Sequence, residues 1–266
     1  MTLRIALVGA TGRMGRLVAD VIGSTDGVEL TVPLHSGDDL ERVAEADAVV
    51  DVTLPQVSQR VVRAATAAER PVLVGTSGWS GERVAALRAA LPPGGPGVLI
   101  VPNFSIGAVL AGVFSAQAAR WFDSIEIVES HHAGKADSPS GTAVATAERI
   151  SAARAELGPV AAPHPDQRAR GQQVGSVPVH SLRMDGVLAR QDVLFGGRGE
   201  LLTIRHETTA PTAYVAGIRL ALDALPRIEG VVVGLEALLF PADAEAQETP
   251  RIADEPGGQA GVATGA

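Results

Sequence analysis

The feature that most restricts the fold stands at the start of the chain. Leu3–Val8 is a compact apolar run, and Gly9-Ala-Thr-Gly12-Arg-Met-Gly15 follows it without a break. A short, compact apolar segment of this kind reads as a buried parallel strand. Met14, Leu17, Val18, Val21 and Ile22 then recur at helical spacing, as on a helix with one face on the core. Strand, glycine turn and helix form the context of a dinucleotide-binding fingerprint. Gly9 and Gly12 would allow a tight turn and close approach to a pyrophosphate, and Gly15 would let the helix pack on the sheet. The spacing G-x-x-G-x-x-G is a variant of the usual one, so the turn alone leaves a ligand-free strand–helix connection open.

The next hundred residues repeat the theme. Val28–Leu34, Ala48–Leu54, Pro71–Gly75 and Val98–Val101 read as further strands. Helical stripes lie between them at Val57, Val61 and Ala64, and at Val84, Leu87 and Leu91. Such alternation predicts a Rossmann-type, doubly wound parallel sheet with its ligand at the C-terminal strand ends. Gly9, Thr53, Gly75 and Asn103 share that edge. After a long helix at Ile106–Trp121 the pattern changes. Gly158–Ser176 shows no period and reads as a long loop, solvated, mobile or in contact with another subunit. Val177–Arg183, Leu188–Phe195 and Leu201–His206 read as antiparallel strands separated by glycine turns. A second α+β domain with an antiparallel or mixed sheet is expected. The expected boundaries are 1–104 for the dinucleotide domain, 105–211 for a substrate and assembly domain, and 212–240 for a helix and short strand returning to the first. Residues 241–266, rich in Ala, Gly, Glu and Pro, read as a disordered tail.

Between the two halves lies Glu129-Ser-His-His-Ala-Gly-Lys-Ala-Asp-Ser-Pro-Ser-Gly-Thr142. It follows an alternating strand, Ser124-Ile-Glu-Ile-Val-Glu129, and leads into a helix at Ala143–Ala155. Pro139 suits the first helical position and Ser138 the cap before it. The amides of Gly141 and Thr142 would then point out of a helix N-terminus, a natural site for a carboxylate. Lys135 adds positive charge, and His131 and Lys135 add proton-transfer capacity. Each residue alone could belong to a polar loop; together they converge as a reaction site does. His131 and His132 would face opposite sides of a continuing strand, and no third ligand is apparent, so no metal is expected.

The totals exclude several classes. The net charge of −8 argues against a nucleic-acid surface. The absence of cysteine excludes disulfides and thiol catalysis and accords with a reducing compartment. No apolar stretch approaches the ~20 residues of a membrane span, and the N-terminus enters a strand at once. A cytoplasmic protein is expected, with no membrane partner.

These motifs occur in the order found in one family. The fingerprint, Asp51-Val-Thr-Leu-Pro55, Gly75-Thr-Ser-Gly78, Val101-Pro-Asn-Phe-Ser-Ile-Gly107 and the His131–Thr142 block together resemble 4-hydroxy-tetrahydrodipicolinate reductase, formerly dihydrodipicolinate reductase, of bacterial lysine biosynthesis. The resemblance runs from about Leu3 to about Leu239. It implies NADPH or NADH as hydride donor, a cyclic dicarboxylate substrate and a homotetramer. It implies that His131 and Lys135 are the acid/base pair, and that His132, Lys135, Ser140, Gly141 and Thr142 contact substrate. Cofactor contacts are implied at Gly9, Ala10, Thr11, Gly12, Arg13 and Met14, at Gly75, Thr76 and Ser77, and at Val101, Pro102, Asn103 and Phe104.

Three positions depart from the family's pattern. Gly134 stands where a third histidine is common, Pro211 where an arginine is often found, and His35 where an acid normally holds the adenosine ribose. His35 would not repel a 2′-phosphate, and Arg13 is within reach of one, so NADPH is expected to serve at least as well as NADH. Another NAD(P)-dependent imine or carbonyl reductase, or a nucleotide sensor without catalysis, remains open on the same scaffold.

Overall fold

The computed structural model describes residues 2–240. The tail expected at 241–266 lies outside them. Six strands form the first sheet: β1 (Leu3–Val8), β2 (Val28–Leu34), β3 (Ala48–Asp51), β4 (Val72–Val74), β5 (Val98–Ile100) and β11 (Val231–Val233). All pair in parallel in the order β11-β5-β4-β3-β1-β2. Alternation on β1 shows why both faces are covered. Ile5 and Leu7 pack with Val18 and Ile22 of α1 (Arg13–Gly23) and Ile218 of α6 (Val215–Ala224). Ala6 and Val8 pack with Val61 of α2 (Pro55–Ala67) and Val84 of α3 (Gly81–Ala90). Burying each such aliphatic side chain contributes roughly 1.5–3 kcal/mol.

The second sheet has the order β10-β9-β6-β8-β7. Its strands are β6 (Ser124–His131), β7 (Gln172–Val174), β8 (Val177–Arg183), β9 (Ala189–Gly197) and β10 (Glu200–Thr208). Two expectations are corrected here. The runs after residue 176 were expected as antiparallel strands, yet β8 and β9 are not paired with each other. Strand β6 lies between them, parallel to β8 and antiparallel to β9. Ile125 and Ile127 of β6 supply the middle of the core, with Val177, Val179, Val193 and Phe195 around them. The stretch expected as a loop before residue 177 holds the short β7, antiparallel to β8, with a single 3-10 turn ahead of it.

One face of this sheet is covered by α5 (Gly141–Ala153), through Ala143, Ala147 and Ile150, and α5 packs against α4 (Ile106–Ala118). The other face carries charged pairs instead. Glu126 pairs with Arg170 and with His180, and Asp192 with Arg190 and Arg205. Leu182 and Leu201 are exposed.

The chain then returns to the first sheet. Helix α6 leads to β11, which pairs with β5, and the short α7 (Glu236–Leu239) follows. Among the described residues no helix is long and apolar enough to cross a membrane. The joint depends on one close approach: a Cβ at Gly217 of α6 would sit 1.9 Å from the carbonyl oxygen of Phe104. Both sides of that contact are backbone and cannot yield cheaply. Gly217→Ala is expected to destabilise the fold by about 1–3 kcal/mol or more, measured by urea unfolding.

Candidate active site

A single cleft of about 1290 Å³ runs across the C-terminal ends of the first sheet to the loop after β6. At its first end, Gly9 has φ +91°, and a Cβ there would meet the Val52 carbonyl oxygen at 2.6 Å. A Cβ at Gly15 would lie 2.1 Å from the Gly9 oxygen. Only glycine fits either place, so the turn packs directly against the start of α1. Helix α1 has Gly12 as its cap, with no acidic residue in its first turn, which suits an anion. These features fit a dinucleotide pyrophosphate.

The loop after β3 is fixed by a buried carboxylate. Asp51 accepts from the Thr53 amide at 3.0 Å, from the Thr53 hydroxyl at 2.6 Å and from Ser58, which in turn accepts from the Trp79 indole at 2.9 Å. The Thr53 amide is also 2.8 Å from Thr76 Oγ1.

At the other end, β6 delivers His131 as its last residue. The side chain of Glu129, two positions earlier, lies on the same face. Its carboxylate has no exposed surface and lies 2.6 Å from His131 Nδ1. It also accepts two bonds of 2.9 Å from Arg183 and one of 3.1 Å from the Ser140 amide. A carboxylate only accepts, so His131 Nδ1 carries the proton and Nε2 is left to exchange with the cleft. Burial alone would raise the Glu129 carboxyl, but bonds from Arg183, Ser181 and His131 outweigh it and hold the group below its ordinary range. Burial lowers His131, and Lys135 and Arg183 add to this against the pull of Glu129. Its imidazole is therefore neutral at pH 7.

Lys135 Nζ contacts Asp137 at 2.6 and 2.8 Å. The cap of α5 is Ser140, whose hydroxyl accepts from the Ala143 amide at 3.2 Å, and not Ser138. Its hydroxyl is the one in reach of the third helical amide, and Pro139 therefore precedes the helix. Gly141 and Thr142 are the first two helical residues, and their amides have no intrahelical acceptor.

Two contacts join the ends of the cleft. Asn103 Nδ2 donates to Thr142 Oγ1 at 3.2 Å, and Ser105 Oγ lies 3.1 Å from His206 Nε2. The Ser105 hydroxyl also accepts from the Ala108 amide, and burial lowers His206 beside it.

Of the residues singled out from the sequence, Gly9, Thr11, Gly12, Arg13, Met14, His35, Gly75, Pro102, Asn103, Phe104, His131, His132, Lys135, Ser140 and Thr142 line the cleft. Ala10, Thr76, Ser77, Val101 and Gly141 do not. Val101 is fully buried in the sheet, and Thr76 is turned inward toward Thr53. Strand β6 ends at His131, so His132 leaves the strand's alternation and both histidines reach the cleft. Gly134 lies beside this pair, where a Cβ would be 3.5 Å from His132 Nδ1. Pro211 is also in the wall.

Sequence reasoning missed the Glu129–Arg183 pair. Period-two spacing could have linked Glu129 to His131, but Arg183 is 54 residues away and has no local signal. It also missed Asp38, whose carboxylate accepts from the His35 amide at 2.7 Å and lies in the same wall. An acid is thus available where His35 had suggested none. Arg13, Arg16, Arg60, Arg190 and Lys135 share the cleft with this one acidic side chain, so a chain of negative net charge presents a positive cleft.

Fold and cleft together define a dinucleotide-dependent oxidoreductase whose cleft has a second, separate polar end. Comparison with known proteins narrows the class. Residues 3–104 match the family model described as dihydrodipicolinate reductase, N-terminus, and residues 107–239 match the corresponding C-terminus model. The chain belongs to this family. It is 59% identical over 240 residues to a 4-hydroxy-tetrahydrodipicolinate reductase of Clavibacter sepedonicus, covering 90% of this chain and 87% of that one. A protein of the same name from Streptomyces griseus subsp. griseus is 44% identical, with 89% and 98% covered. The structure of dipicolinate-bound dihydrodipicolinate reductase from Paenisporosarcina sp. TG-14 superposes with a TM-score of 0.72 at 29% identity, over 89% of this chain and 99% of that one.

The lowered histidines predict a pH effect on stability. In the unfolded chain they titrate near 6.5; folded, they bind a proton only at lower pH. The unfolded state therefore takes up more protons below that value, and stability falls as pH drops from 6.5 through the folded values. Thermal unfolding between pH 7.5 and 5.0 should show this loss, and His206→Gln should reduce it. Glu129 acts in a separate window, since its stabilising effect is present above 4.5 and lost only in stronger acid.

Proposed function

We propose that this chain reduces 4-hydroxy-tetrahydrodipicolinate to tetrahydrodipicolinate with NADPH or NADH, consuming one proton and releasing water, as a step toward diaminopimelate and lysine. The observation that carries this reading is the meeting, in one cleft, of the Gly9–Gly15 turn with His131, Lys135 and the α5 N-terminus. The nicotinamide supplies the hydride when bound. The turn and the α1 N-terminus would hold its pyrophosphate, and Gly75 and Pro102–Phe104, at the ends of β4 and β5, would hold the nicotinamide half.

One substrate carboxylate binds the amides of Gly141 and Thr142, with Ser140 and His132 beside it. Lys135 exchanges its exposed partner Asp137 for the substrate, at little cost because such surface pairs are worth only about 0–1 kcal/mol. Binding at two fixed points holds the ring at a set distance from the donor. Loss of the ring hydroxyl and protonation after hydride addition each need a positioned acid. The Lys135 ammonium is the resident donor, while His131 takes up and hands on a proton at Nε2. Asp38 can accept from the ribose hydroxyls of NADH, and Arg13 and Arg16 can hold a 2′-phosphate, so both cofactors serve. A cytoplasmic setting supplies both.

A coupled assay with freshly generated substrate, following nicotinamide absorbance with each cofactor, tests the reading; no turnover with either would overturn it. In the same assay Lys135→Ala is expected to lose about 10²–10⁴-fold in rate, with NADPH affinity near that of the wild type by fluorescence titration. A parallel loss of affinity would place Lys135 in the cofactor site instead.

The open face of the second sheet supports assembly. Its ion pairs and exposed leucines, beside the unpaired edge of β10, form a surface that a second copy would cover. A homotetramer built through the strands between Val177 and His206 is expected. Light scattering at low micromolar concentration should give four chain masses, and a monomer would refute it.

A further inference from the structure

Glu129 has more bonds than a loop anchor requires, and their arrangement is specific. One carboxylate oxygen takes the Ser140 amide and Arg183 Nη2; the other takes His131 Nδ1 and Arg183 Nη1. Arg183 reaches further, to the Asp137 carbonyl oxygen at 2.6 Å. One buried group thus contacts the proton-transferring histidine, the residue capping the anion-binding helix and, through Arg183, the loop that carries Lys135. We infer that Glu129, held by Arg183, is the positioning residue of this site: it fixes His131 as the Nδ1–H tautomer and sets the imidazole at a fixed offset from the α5 N-terminus.

The inference rests on the proposed role of His131 in proton transfer. Its chemistry is independent of the substrate. Because Arg183 neutralises Glu129 permanently, the carboxylate stays ionised whether His131 is neutral or charged. The imidazole can then gain and lose a proton at Nε2 without Nδ1 releasing its own. The charged groups facing His131 are Glu129 on its own strand, Arg183 from β8 and Lys135 from the following loop, with Asp137 paired to that lysine. Glu129 raises the imidazole, and Arg183 and Lys135 lower it.

Replacing Glu129 with glutamine gives a directional test. The amide offers one oxygen and one NH₂ group. Arg183 donates on both sides, and the Ser140 amide can only donate. His131 alone can turn from donor to acceptor, so the NH₂ group faces it and its proton moves to Nε2. Histidine ring ¹⁵N NMR of Glu129→Gln is expected to show His131 inverted from Nδ1–H to Nε2–H. The rate should fall by about 10²-fold or more while NADPH affinity stays within twofold. The pH at which His131 titrates should move down in Glu129→Gln and up in Arg183→Gln, opposite shifts that general damage to the fold would not produce. An unchanged tautomer in Glu129→Gln, or shifts of the same sign in both variants, would overturn the inference. If Glu129→Gln does not fold, Arg183→Gln decides: a raised titration supports the assignment and an unmoved one refutes it. If His131→Gln is fully active, the catalytic reading of His131 fails, and the tautomer result then stands or falls by itself.

Discussion

The placement of β6 is the constraint on which the two halves of the molecule depend. It is the middle strand of the second sheet, hydrogen-bonded on both sides, so its side chains have little freedom of register. A slip of one residue would turn Ile125, Ile127, Glu129 and His131 to the opposite face together. Apolar burial at Ile125 and Ile127 therefore aims the histidine. The same packing that holds the core delivers Glu129 to Arg183 from the adjacent β8. A buried pair of this kind adds little net stability, yet removing one partner typically costs about 3–5 kcal/mol. Its presence beneath the cleft fits a role in placing groups better than one in strengthening the fold.

The two sheets meet through a few polar contacts of defined geometry. Asn103 bonds Ser105 and Thr142 at once, which sets the end of β5 against the start of α5. Ser105 caps α4 and, through the same hydroxyl, bonds His206 on β10. Gly107 lets the ring approach, since a Cβ there would come within 2.8 Å of it. The glycine turn and the His131–Thr142 block are thereby brought to one cleft by side chains distant in sequence, and the proposed hydride transfer would need that relation to be reproducible.

Much of the first sheet could be read from the chain. Leu3–Val8 and Val28–Leu34 were legible with their observed bounds: the first is buried from Ile5 on and is written as a nearly unbroken apolar run, whereas the second is the sheet's edge strand and alternates between covered and exposed residues. Within the second sheet, Val177–Arg183 was also located correctly. Its partner was not, since alternation records which face is buried and carries no record of the neighbouring strand. The cap of α5 was misplaced by two residues because Ser138 and Ser140 are chemically alike, and only three-dimensional reach separates them. The histidines, the lysine and the glycine turn were legible as local motifs. Arg183 and Asp38 were not: Arg183 reaches the site by strand pairing across 54 residues, with no local signal, whereas Asp38 lies in a short turn after β2, three residues past His35, where attention to His35 alone passed it over.

Charge explains how a net-negative protein can accept two anionic ligands side by side. Long-range attraction is unhelpful here, since the total of −8 repels anions at a distance and is screened beyond about 8–10 Å in physiological salt. Attraction must therefore be local. Two helices, α1 and α5, start at the cleft from different sheets, and each carries unpaired amides with a partial positive charge of roughly half an elementary unit. Neither has an acidic residue in its first turn. Lys135 and the arginines of the wall add full charges that solvent screens less inside the cleft. Glu129, the nearest buried carboxylate, would oppose this field, but Arg183 cancels it at 2.9 Å. The arginine thus does two things with one fork: it lets a negative group bond His131, and it would hide that group's charge from an anion at the α5 N-terminus.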